Sequence, residues 1–321
     1  MQSARTCVIV VNHRGAADTA ACIRSLLASA VPVTIVLVDT SPNDPELGSA
    51  IAFAPGIVLL RPAENTGFGV ANNLGIAWAL GNKGCEFAFL LNNDATVFPD
   101  SIGLLIAALD EHPGVGIAVP RIAYMHDPGR LWYGGGEIDW RRASAVTPGF
   151  NGSANAELAM MERDVTFASG CALLARAAVF RRLRGFDPRF FMYEEDCELC
   201  LRAREMHIRI RYIPQSLILH RGQGSDPGAA LGKQDLWSVN NARLPFFAFH
   251  IIRNRLFNIY LHARGRSLCI AILFFPLFVI YRAVLCLLGG RMDGVKAMFR
   301  GVRDFWRTRR SLQAADCERQ I

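Results

Sequence analysis

The chain has 321 residues, of which 51% are hydrophobic and 20% charged, and this composition excludes a disordered protein and allows one large domain or two. Its nine cysteines have no spacing typical of a disulfide framework or zinc site, which favours a reducing compartment. The net charge of +7 is segregated, because residues 251–310 hold 12 Lys and Arg against 2 Asp and Glu, and the remainder holds 23 against 26. Charge confined to one apolar region, with no recognised nucleic-acid motif, disfavours a nucleic-acid partner.

Strand-like apolar runs alternate with helical periodicity in the first part of the chain. The predicted strands are residues 6–11, 34–39, 57–61, 87–91 and 116–119. The first run is short and is closed by Asn12, His13 and Arg14, so it predicts a strand rather than a cleavable signal peptide. The alternation predicts an α/β fold with a parallel sheet wrapped by helices. Further strands are predicted at 167–170, 209–213 and 217–220.

Polar residues follow four of these strands, where doubly wound sheets bind their ligands. They are Asn12 and His13, then Asp39, then Asn65 and Gly67, then Asn92, Asn93 and Asp94. Glycines 67 and 69 at a helix start would free backbone N–H groups for a phosphate, and Asp39 suits a ribose hydroxyl or a base edge. The sequence has no GxGxxG and no Walker motif, which leaves a mononucleotide as the predicted ligand class.

A glycine-rich turn at 134–136 follows Leu131, Trp132 and Tyr133. Two interpretations stay open, a plain hairpin and an aromatic platform that stacks on a sugar.

Three consecutive acids, Glu194, Glu195 and Asp196, stand at the start of a predicted helix. Like charges this close raise the pKa of at least one carboxyl toward the range of a general base, whereas the alternative is a solvated, capped helix start. The CxxC at Cys197 and Cys200 lies on the same predicted helix without a second pair, which favours buried small side chains over a metal or redox site.

The C-terminal part predicts an association with a membrane. Residues 268–281 carry no charge, and with only Arg282 intervening the apolar stretch continues to residue 290. At about 1.5 Å per residue this stretch is long enough to cross a bilayer, but Pro276 and Arg282 interrupt it, so a spanning helix and a helix lying in one leaflet both stay open.

A second C-terminal helix is predicted to be amphipathic. Its apolar face comprises Val295, Met298, Phe299, Val302, Phe305 and Trp306, and its basic face comprises Lys296, Arg300, Arg303, Arg307 and Arg310. This pattern is typical of a helix on anionic membrane lipid, and the alternative is a helix that packs on a protein partner.

Six segments in order resemble one family. They are VIVVNHRGAADTAACIRSLL, VDTSPND, ENTGFGVANNLGIAWA, FLLNNDATVFPDSI, ASGCALLARAAVF and GFDPRFFMYEEDCELCLRAR, and they lie within residues 5–260. Together they resemble the inverting GT-A glycosyltransferases of family 2, in particular bacterial rhamnosyltransferase-like members.

The resemblance implies a GT-A fold with a mixed, mostly parallel central sheet flanked by helices. We predict a catalytic domain over residues 1–245, with a nucleotide-binding half at about 1–120 and an acceptor half at about 121–245. Residues 246–321 form the predicted helical, membrane-associating region.

The resemblance also implies roles for individual residues. The nucleotide-sugar site is predicted to comprise Asn12, Asp39, Asn65, Gly67, Asn73, Asn92 and Asn93. Asp94 and His220 are the predicted ligands of a divalent cation, Mg²⁺ or Mn²⁺, although asparagine replaces the first acid of the family's DxD. Because Mg²⁺ takes only one or two carboxylates beside phosphate oxygens and waters, this change predicts weaker binding rather than none. Asp196 is the predicted base, and Glu195 either orients it or is the base itself.

The implied reaction transfers a sugar, with dTDP-rhamnose as the first donor to test, from a nucleoside diphosphate to a glycan on a polyprenyl-diphosphate lipid or another cell-surface glycan. Direct displacement needs no enzyme nucleophile, and the sequence has no GxSxG elbow. The predicted location is the cytoplasmic face of the bacterial inner membrane, peripheral or single-pass. The alternative is a catalytically silent, membrane-anchored protein that binds a nucleotide sugar or organises partners.

Overall fold

The structure is a computed structural model that describes residues 4–41, 45–222 and 236–319, with side chains described up to residue 309. It divides into two compact units. The first comprises Met1–Glu137, Val146–Phe191 and Asp196–Ala229, and the second comprises Ile138–Ala145, Met192–Glu195 and Ala230–Ile321. Two short segments of the N-terminal part thus belong with the C-terminal helices, a feature that the predicted boundary at residue 245 does not include.

Strands and helices alternate as expected for an α/β fold. The strands are β1 (Thr6–Asn12), β2 (Val33–Asp39), β3 (Val58–Leu60), β4 (Phe87–Asn92), β5 (Ala95–Val97), β6 (Val115–Tyr124), β7 (Leu131–Tyr133), β8 (Glu137–Asp139), β9 (Ser144–Val146), β10 (Arg163–Val165), β11 (Ala172–Arg176) and β12 (Arg209–His220). The helices are α1 (Ala16–Leu27), α2 (Pro45–Ala50), α3 (Gly67–Gly81), α4 (Ser101–Glu111), α5 (Glu157–Met160), α6 (Ala177–Leu183), α7 (Glu195–Glu205), α8 (Leu244–His262), α9 (Gly265–Leu288) and α10 (Met292–Arg319).

The main sheet has the order β10-β12-β6-β11-β4-β1-β2-β3. Strands β4, β1, β2 and β3 are parallel neighbours, and β6 and β12 are parallel to each other, whereas β11 runs antiparallel between β4 and β6. Val8, Ile9 and Val10 of β1 are fully buried because helices cover both faces of the sheet there. The predicted sheet, mixed and mostly parallel, is confirmed.

Two strand predictions are corrected. The predicted strand at 167–170 is wrong, because β11 begins at Ala172 and Phe167 forms only an isolated bridge with Gly136. The apolar residues that fill the sheet are Leu173 and Leu174, and the segment before them turns toward the end of β4. The two strands predicted at 209–213 and 217–220 are one strand, β12, with an irregular register between Ile213 and Leu217.

Strand β5 brings distant residues together at one end of the sheet. It follows β4 directly and pairs antiparallel with β12, so that Ala95 lies opposite His220. This pairing places the residues just before β5 beside the end of β12. Asp94 and His220, 126 positions apart, therefore meet.

The second unit has its own apolar core, built from α8, α9 and α10. Leu244, Ile252, Phe275 and Met298 are among its buried residues. On α10 most of the predicted apolar face is covered, since Val295, Met298 and Phe305 are buried, whereas Phe299 and Trp306 remain exposed. The interpretation of this face as a lipid-binding surface therefore applies only to the two exposed aromatic residues.

Helix α9 is long and apolar enough to cross a membrane by length and composition, with 24 residues and a mean hydropathy of 2.5 in its most apolar window. It is the one such helix in the described part of the chain. Only 11% of that window is buried, and side chains such as Ile272, Leu277 and Ile280 are more than half exposed. A core helix of a soluble protein would be mostly buried, so α9 presents an unusual apolar surface.

Candidate active site

Asn12 and Asp39 form a closed hydrogen-bond network at the ends of β1 and β2. The two residues are register partners, and Asn12 Nδ2 donates to Asp39 Oδ1 over 3.0 Å. Asn12 Oδ1 accepts from the Gly15 N–H at 3.1 Å and from Thr19 Oγ1 at 2.9 Å, and Asp39 Oδ1 also accepts from the Ser41 N–H. Both side chains are almost fully buried. They shape this end of the sheet mainly through bonds within the protein.

Asn93 extends the same network. Its Nδ2 donates to Thr19 Oγ1 at 3.1 Å and lies 3.4 Å from Asn12 Oδ1. The side chain is 8% exposed, so its amide faces α1 rather than solvent. Asn93 thus bonds to Asn12 and to α1, and its predicted direct contact with the nucleotide sugar stays a prediction.

Asp94 and His220 form a buried pair at the ends of β4 and β12. His220 Nε2 lies 3.0 Å from Asp94 Oδ1 and 3.5 Å from Asn92 Nδ2, and the indole of Trp132 packs edge-on against the imidazole at 4.5 Å between ring centroids. Burial alone would lower the pKa of His220, but Asp94 and the neighbouring Cys171 raise that pKa well above its usual value. Asp94 thus favours a proton on the imidazole.

The donor set at this pair fits a divalent cation that is shared with a substrate. Among the described residues no group of three or more His, Cys, Asp or Glu side chains is arranged to hold a metal. However, Asp94 Oδ1 and His220 Nε2 lie only 3.0 Å apart, so both atoms could reach one ion. A carboxylate and an imidazole can supply two positions, and phosphate oxygens and waters would fill the others.

Asp196 lies in the first turn of α7 and is only partly buried. Its Oδ2 accepts from the Gly170 N–H at 3.1 Å, and its Oδ1 accepts from the Cys197 N–H at 2.8 Å. These backbone donors orient the carboxylate, while partial exposure leaves it accessible to a bound hydroxyl. The role of Asp196 as a general base stays a prediction.

The segment before β11 brings Asp196 and Asp94 to one region. The Gly170 N–H binds Asp196, and the next residue, Cys171, accepts through its carbonyl from the Asn92 N–H at 2.8 Å. Burial raises the pKa of the Cys171 thiol, and the charges of His220, Asp94 and Asp196 also affect this pKa. The backbone of residues 170–171 thus links the Asp196 carboxylate to the end of β4, two residues before Asp94, although the two acids are 102 positions apart in sequence.

At the start of α3, two backbone N–H groups are already bonded within the protein, and the predicted phosphate-binding role of this turn stays a prediction. The Gly67 N–H donates to Asn65 Oδ1 at 3.0 Å, and the Phe68 N–H donates to the Phe191 carbonyl at 3.0 Å. Gly67 has φ +79°, and a Cβ there would stand 2.2 Å from the Phe191 carbonyl oxygen. Gly67 is needed for this close approach, and Asn65 for the turn that precedes it.

Asn73 bonds to the backbone of Phe186, and its predicted contact with the nucleotide sugar stays a prediction. Its Nδ2 donates to the Phe186 carbonyl at 2.8 Å, and its Oδ1 accepts from the Phe186 N–H at 2.7 Å. Both ends of the amide are thus bonded to the backbone of one residue. The side chain fixes the segment that leads toward α7.

The three consecutive acids do not form one cluster. Glu194 lies outside α7, where its carboxylate pairs with Arg255 at 2.8 Å and accepts from Ser144. Glu195 is the first residue of α7 and is 6% exposed, whereas Asp196 is the more accessible of the two candidate bases. The assignment of the base to Asp196 rather than Glu195 stays a prediction.

Two arginines near the site were not predicted. Arg221 follows His220, and its Nη1 pairs with Asp18 of α1 at 2.7 Å. The Arg61 Nε stands 3.5 Å from Asp39 Oδ2 and is half exposed. Their positions directly after β12 and β3 could have predicted that they lie near the site, since residues that follow strands of this sheet lie at its ligand-binding end.

The CxxC cysteines are buried small side chains, as predicted. Cys197 and Cys200 are 2% and 0% exposed. The eight cysteines that the structure describes, these two included, are all free thiols.

Comparison with known proteins identifies relatives for the first unit in particular. The family model described as glycosyl transferase family 2 matches residues 7–184. An N-acetylglucosaminyl-diphospho-decaprenol L-rhamnosyltransferase of Mycobacterium tuberculosis is 29% identical over 226 residues, which is 64% of this chain and 73% of that protein. Rhamnosyltransferase WbbL of Escherichia coli K12 is 31% identical over 94 residues, 29% of this chain and 35% of that protein.

Two solved structures resemble the fold. GalNAc-T7 with UDP, GalNAc and Mn²⁺ aligns with a TM-score of 0.52 at 18% identity over 71% of this chain and 46% of that one. TarS of S. aureus aligns with a TM-score of 0.52 at 13% identity over 82% of this chain and 41% of that one. The chain therefore spans less than half the length of either structure. At these identities the likeness concerns the fold alone, and it confirms the predicted GT-A architecture.

Proposed function

Because this chain belongs to glycosyl transferase family 2, we propose that it transfers a sugar from a nucleoside diphosphate to a polyprenyl-diphosphate-linked glycan, with inversion at the anomeric carbon. Rhamnose is the proposed sugar, and a lipid-linked N-acetylglucosamine is the proposed acceptor. Support comes from the M. tuberculosis relative, whose name gives this acceptor and sugar and 73% of whose length is matched.

The observation that carries the proposal is the convergence of two kinds of group on one end of the sheet. The Asp196 carboxylate accepts from the Gly170 N–H, and the carbonyl of the next residue, Cys171, accepts from the Asn92 N–H, two residues before the Asp94 that lies 3.0 Å from His220. Transfer of a sugar to a hydroxyl needs a site that stabilises a departing diphosphate and a site that removes a proton. This arrangement supplies one candidate for each.

Asp94 and His220 are the residues that would hold a divalent cation. Such a cation would supply electrostatic stabilisation of the diphosphate as negative charge develops on it. Asp94 provides the negative charge that the ion requires, and His220 provides a nitrogen lone pair once its proton has left. Trp132 packs against the imidazole and limits its rotation.

Asp196 takes the proton of the acceptor hydroxyl in this proposal. The backbone bonds from Gly170 and Cys197 fix the carboxylate while part of its surface stays accessible. Direct attack by the deprotonated hydroxyl forms the new glycosidic bond as the bond to the diphosphate breaks, so the anomeric configuration inverts. The proton ends on Asp196, and the electron pair of the broken bond leaves with the nucleoside diphosphate.

The test is a transfer assay with the full-length protein in vesicles that contain a polyprenyl-diphosphate-linked N-acetylglucosamine. Donors are dTDP-rhamnose, UDP-glucose, UDP-galactose and UDP-N-acetylglucosamine, each with Mg²⁺, Mn²⁺ or EDTA. We expect lipid product from dTDP-rhamnose only, lost in EDTA, with an anomeric configuration opposite to that of the donor by NMR.

Three results would contradict parts of the proposal. A retained configuration would overturn the inverting mechanism, product formed equally in EDTA would overturn the cation, and product from another donor would replace rhamnose. Binding of a nucleotide sugar without any transfer would favour the catalytically silent alternative.

We propose that α9 attaches the protein to the membrane on which the lipid-linked acceptor resides. The support is its length, hydropathy and exposed apolar side chains. Because α10 completes the core of the second unit, a truncation at Ser267 would also expose the apolar face of α8. Substitution of exposed α9 residues is therefore the sharper test.

The membrane test uses Ile272→Lys with Leu277→Lys, two changes at positions that are 63% and 57% exposed. We expect the folded variant to leave the membrane fraction on flotation. The matched control is Leu27→Lys with Leu158→Lys, at positions of the first unit that are 56% and 42% exposed, and it should float as the wild type does. Unchanged flotation of the α9 variant would refute attachment through this helix.

A further inference from the structure

One face of α8 holds the three residues that precede the acids of α7. Asn254 Nδ2 donates to the carbonyl of Met192 at 2.9 Å and to that of Tyr193 at 2.7 Å. One turn later, Asn258 Nδ2 lies 3.4 Å from the carbonyl of Glu194. Residues four apart lie on one helix face, so this face bonds three consecutive carbonyl groups.

The side chain of Glu194 is held by the same helix. Arg255 Nε donates to Glu194 Oε1 at 2.8 Å, and Ser144 Oγ lies 2.8 and 2.9 Å from the two carboxylate oxygens and donates to one of them. The Arg255 and Glu194 side chains are only 14% and 7% exposed. A buried ion pair with further hydrogen bonds is costly to disturb, because removal of one partner leaves the other charge unpaired. We call Asn254, Arg255 and Asn258 the α8 clamp.

The segment under the clamp has an unfavourable backbone. Tyr193 has φ +66° and Glu194 has φ +67°, and both residues therefore adopt the left-handed conformation that normally suits glycine. Such residues persist only where surrounding contacts impose them, and they cluster at functional sites. Here the contacts are the hydrogen bonds of the clamp and the packing of the Tyr193 ring on Phe247 at 5.3 Å.

The strained segment determines where α7 begins. Glu194 is followed by Glu195 and then by Asp196, the proposed base, so the direction of the chain at 193–194 sets the position of the Asp196 backbone. If the two residues relaxed to ordinary φ values, the first turn of α7 would shift. The hydrogen bonds from Gly170 and Cys197 to Asp196 tolerate only a small shift of this kind.

We propose that the α8 clamp is a positioning device for the catalytic base, with Asn254 as its central residue and Arg255 and Asn258 as supports. This inference rests on the proposed function, in which Asp196 takes the proton of the acceptor. The network of Asn12 and Asp39 at the ends of β1 and β2 contains no clamp residue, so we expect the clamp to affect the base more than the binding of the donor.

The test compares Asn254→Ala with Asn241→Ala in the full-length protein in vesicles. Asn241 is a matched control, because it is also a buried asparagine of the second unit, but its Oδ1 accepts from the Arg243 N–H at the start of α8. For Asn254→Ala we expect kcat to fall by about tenfold or more, since a misplacement near 1 Å costs up to about a hundredfold. The donor KM and the Kd of dTDP should stay within about twofold of wild type.

The control variant should lose thermal stability to a similar extent and keep kcat within about twofold at temperatures where it is folded. Equal kcat values for the two variants would overturn the inference, and so would a dTDP Kd that weakens in step with kcat. If Asn254→Ala does not fold, Arg255→Lys replaces it, because lysine keeps the charge but not the planar guanidinium that also reaches the Arg142 carbonyl. That variant should show the same separation of kcat from donor KM.

The two proposals can fail separately. If the wild type transfers no sugar from any donor, the proposed function fails and the inference falls with it. If the wild type transfers sugar and Asn254→Ala retains its kcat, only the inference fails.

Discussion

The two ends of the candidate site differ in how their polar groups are used. At the ends of β1 and β2, Asn12, Asp39 and Asn93 bond to one another and to α1, and little of their surface is exposed. At the ends of β4 and β12, Asp94 lies 3.0 Å from His220, whose pKa is raised, and Asp196 is partly exposed. The side chains of the first group are bonded within the protein, whereas those of the second group include an accessible carboxylate and a titratable pair. We therefore expect substitutions at the first end to cost stability and substitutions at the second end to cost activity.

The largest effect is expected for Asp196→Asn. An amide of the same shape cannot take the proton of the acceptor, so kcat should fall by about 10²- to 10⁴-fold, while the Kd of the donor and the melting temperature stay near those of wild type. A transfer assay together with calorimetry measures all three. The matched control is Asp110→Asn, an exposed acid that pairs with Arg5 at the surface. Full activity of Asp196→Asn would move the role of base to Glu195.

Asp94→Asn is expected to have the next largest effect. The substitution keeps the size of the side chain but removes the negative charge that a divalent cation requires, so metal-dependent donor affinity should weaken by about 10- to 100-fold. Titration of dTDP-rhamnose with and without Mg²⁺ measures it. Donor affinity that is unchanged in Mg²⁺ would show that Asp94 belongs with the structural end of the site.

The two ends should also differ in their response to pH. Asp94 and Cys171 raise the pKa of His220, so a cation that binds the imidazole nitrogen must compete with a proton up to a higher pH than at an ordinary histidine. Donor affinity in Mg²⁺ should therefore increase with pH, by up to about tenfold per unit below this pKa. The contribution of the Asp94–His220 pair to the free energy of unfolding changes with pH in the opposite direction. It is present below the ordinary pKa of histidine, and it is lost as the pH rises through the raised pKa of His220. Donor titrations from pH 6 to 9 on wild type and His220→Asn test the first point, and the variant should show no such slope.

The smallest effect on turnover is expected for Asn12→Ala. The substitution leaves Asp39, Gly15 and Thr19 with lost partners, and the free energy of unfolding should fall by about 1 to 3 kcal/mol. At temperatures where the variant is folded, kcat should remain within about threefold of wild type, because no group that moves a proton has changed. Denaturant unfolding and a transfer assay give the two numbers. A large loss of kcat without a loss of stability would reverse the comparison.

Much of the site could be predicted from the order of strands and the residues that follow them. Because the carboxyl ends of parallel strands meet at one edge of a sheet, the sequence predicts that Asn12, Asp39 and Asp94 lie near one another. The roles of Gly67 and Asn73 could not be predicted in this way. Each depends on a backbone group more than 100 positions away, the Phe191 carbonyl for Gly67 and the peptide groups of Phe186 for Asn73.

The surroundings of the three consecutive acids, residues 194–196, also could not be predicted from the local sequence. Three adjacent acids at a helix start predicted mutual repulsion, but the left-handed backbone at Tyr193 and Glu194 sends the first carboxylate to Arg255 instead. No local pattern predicts that backbone, since a non-glycine residue adopts it only under contacts from elsewhere. Likewise, the apolar face of α10 was visible in the sequence, but its burial in the core shared with α8 was not.

The amino-acid sequence alone determined the α/β alternation, the family, the polar residues after the strands and the apolar C-terminal helix. Each of these features depends on the types and spacing of residues that are close in sequence. Tertiary structure alone decided which polar groups are already bonded and which stay available for reaction. That division depends on partners such as His220 for Asp94 and Gly170 for Asp196, which only the folded sheet brings within hydrogen-bond distance.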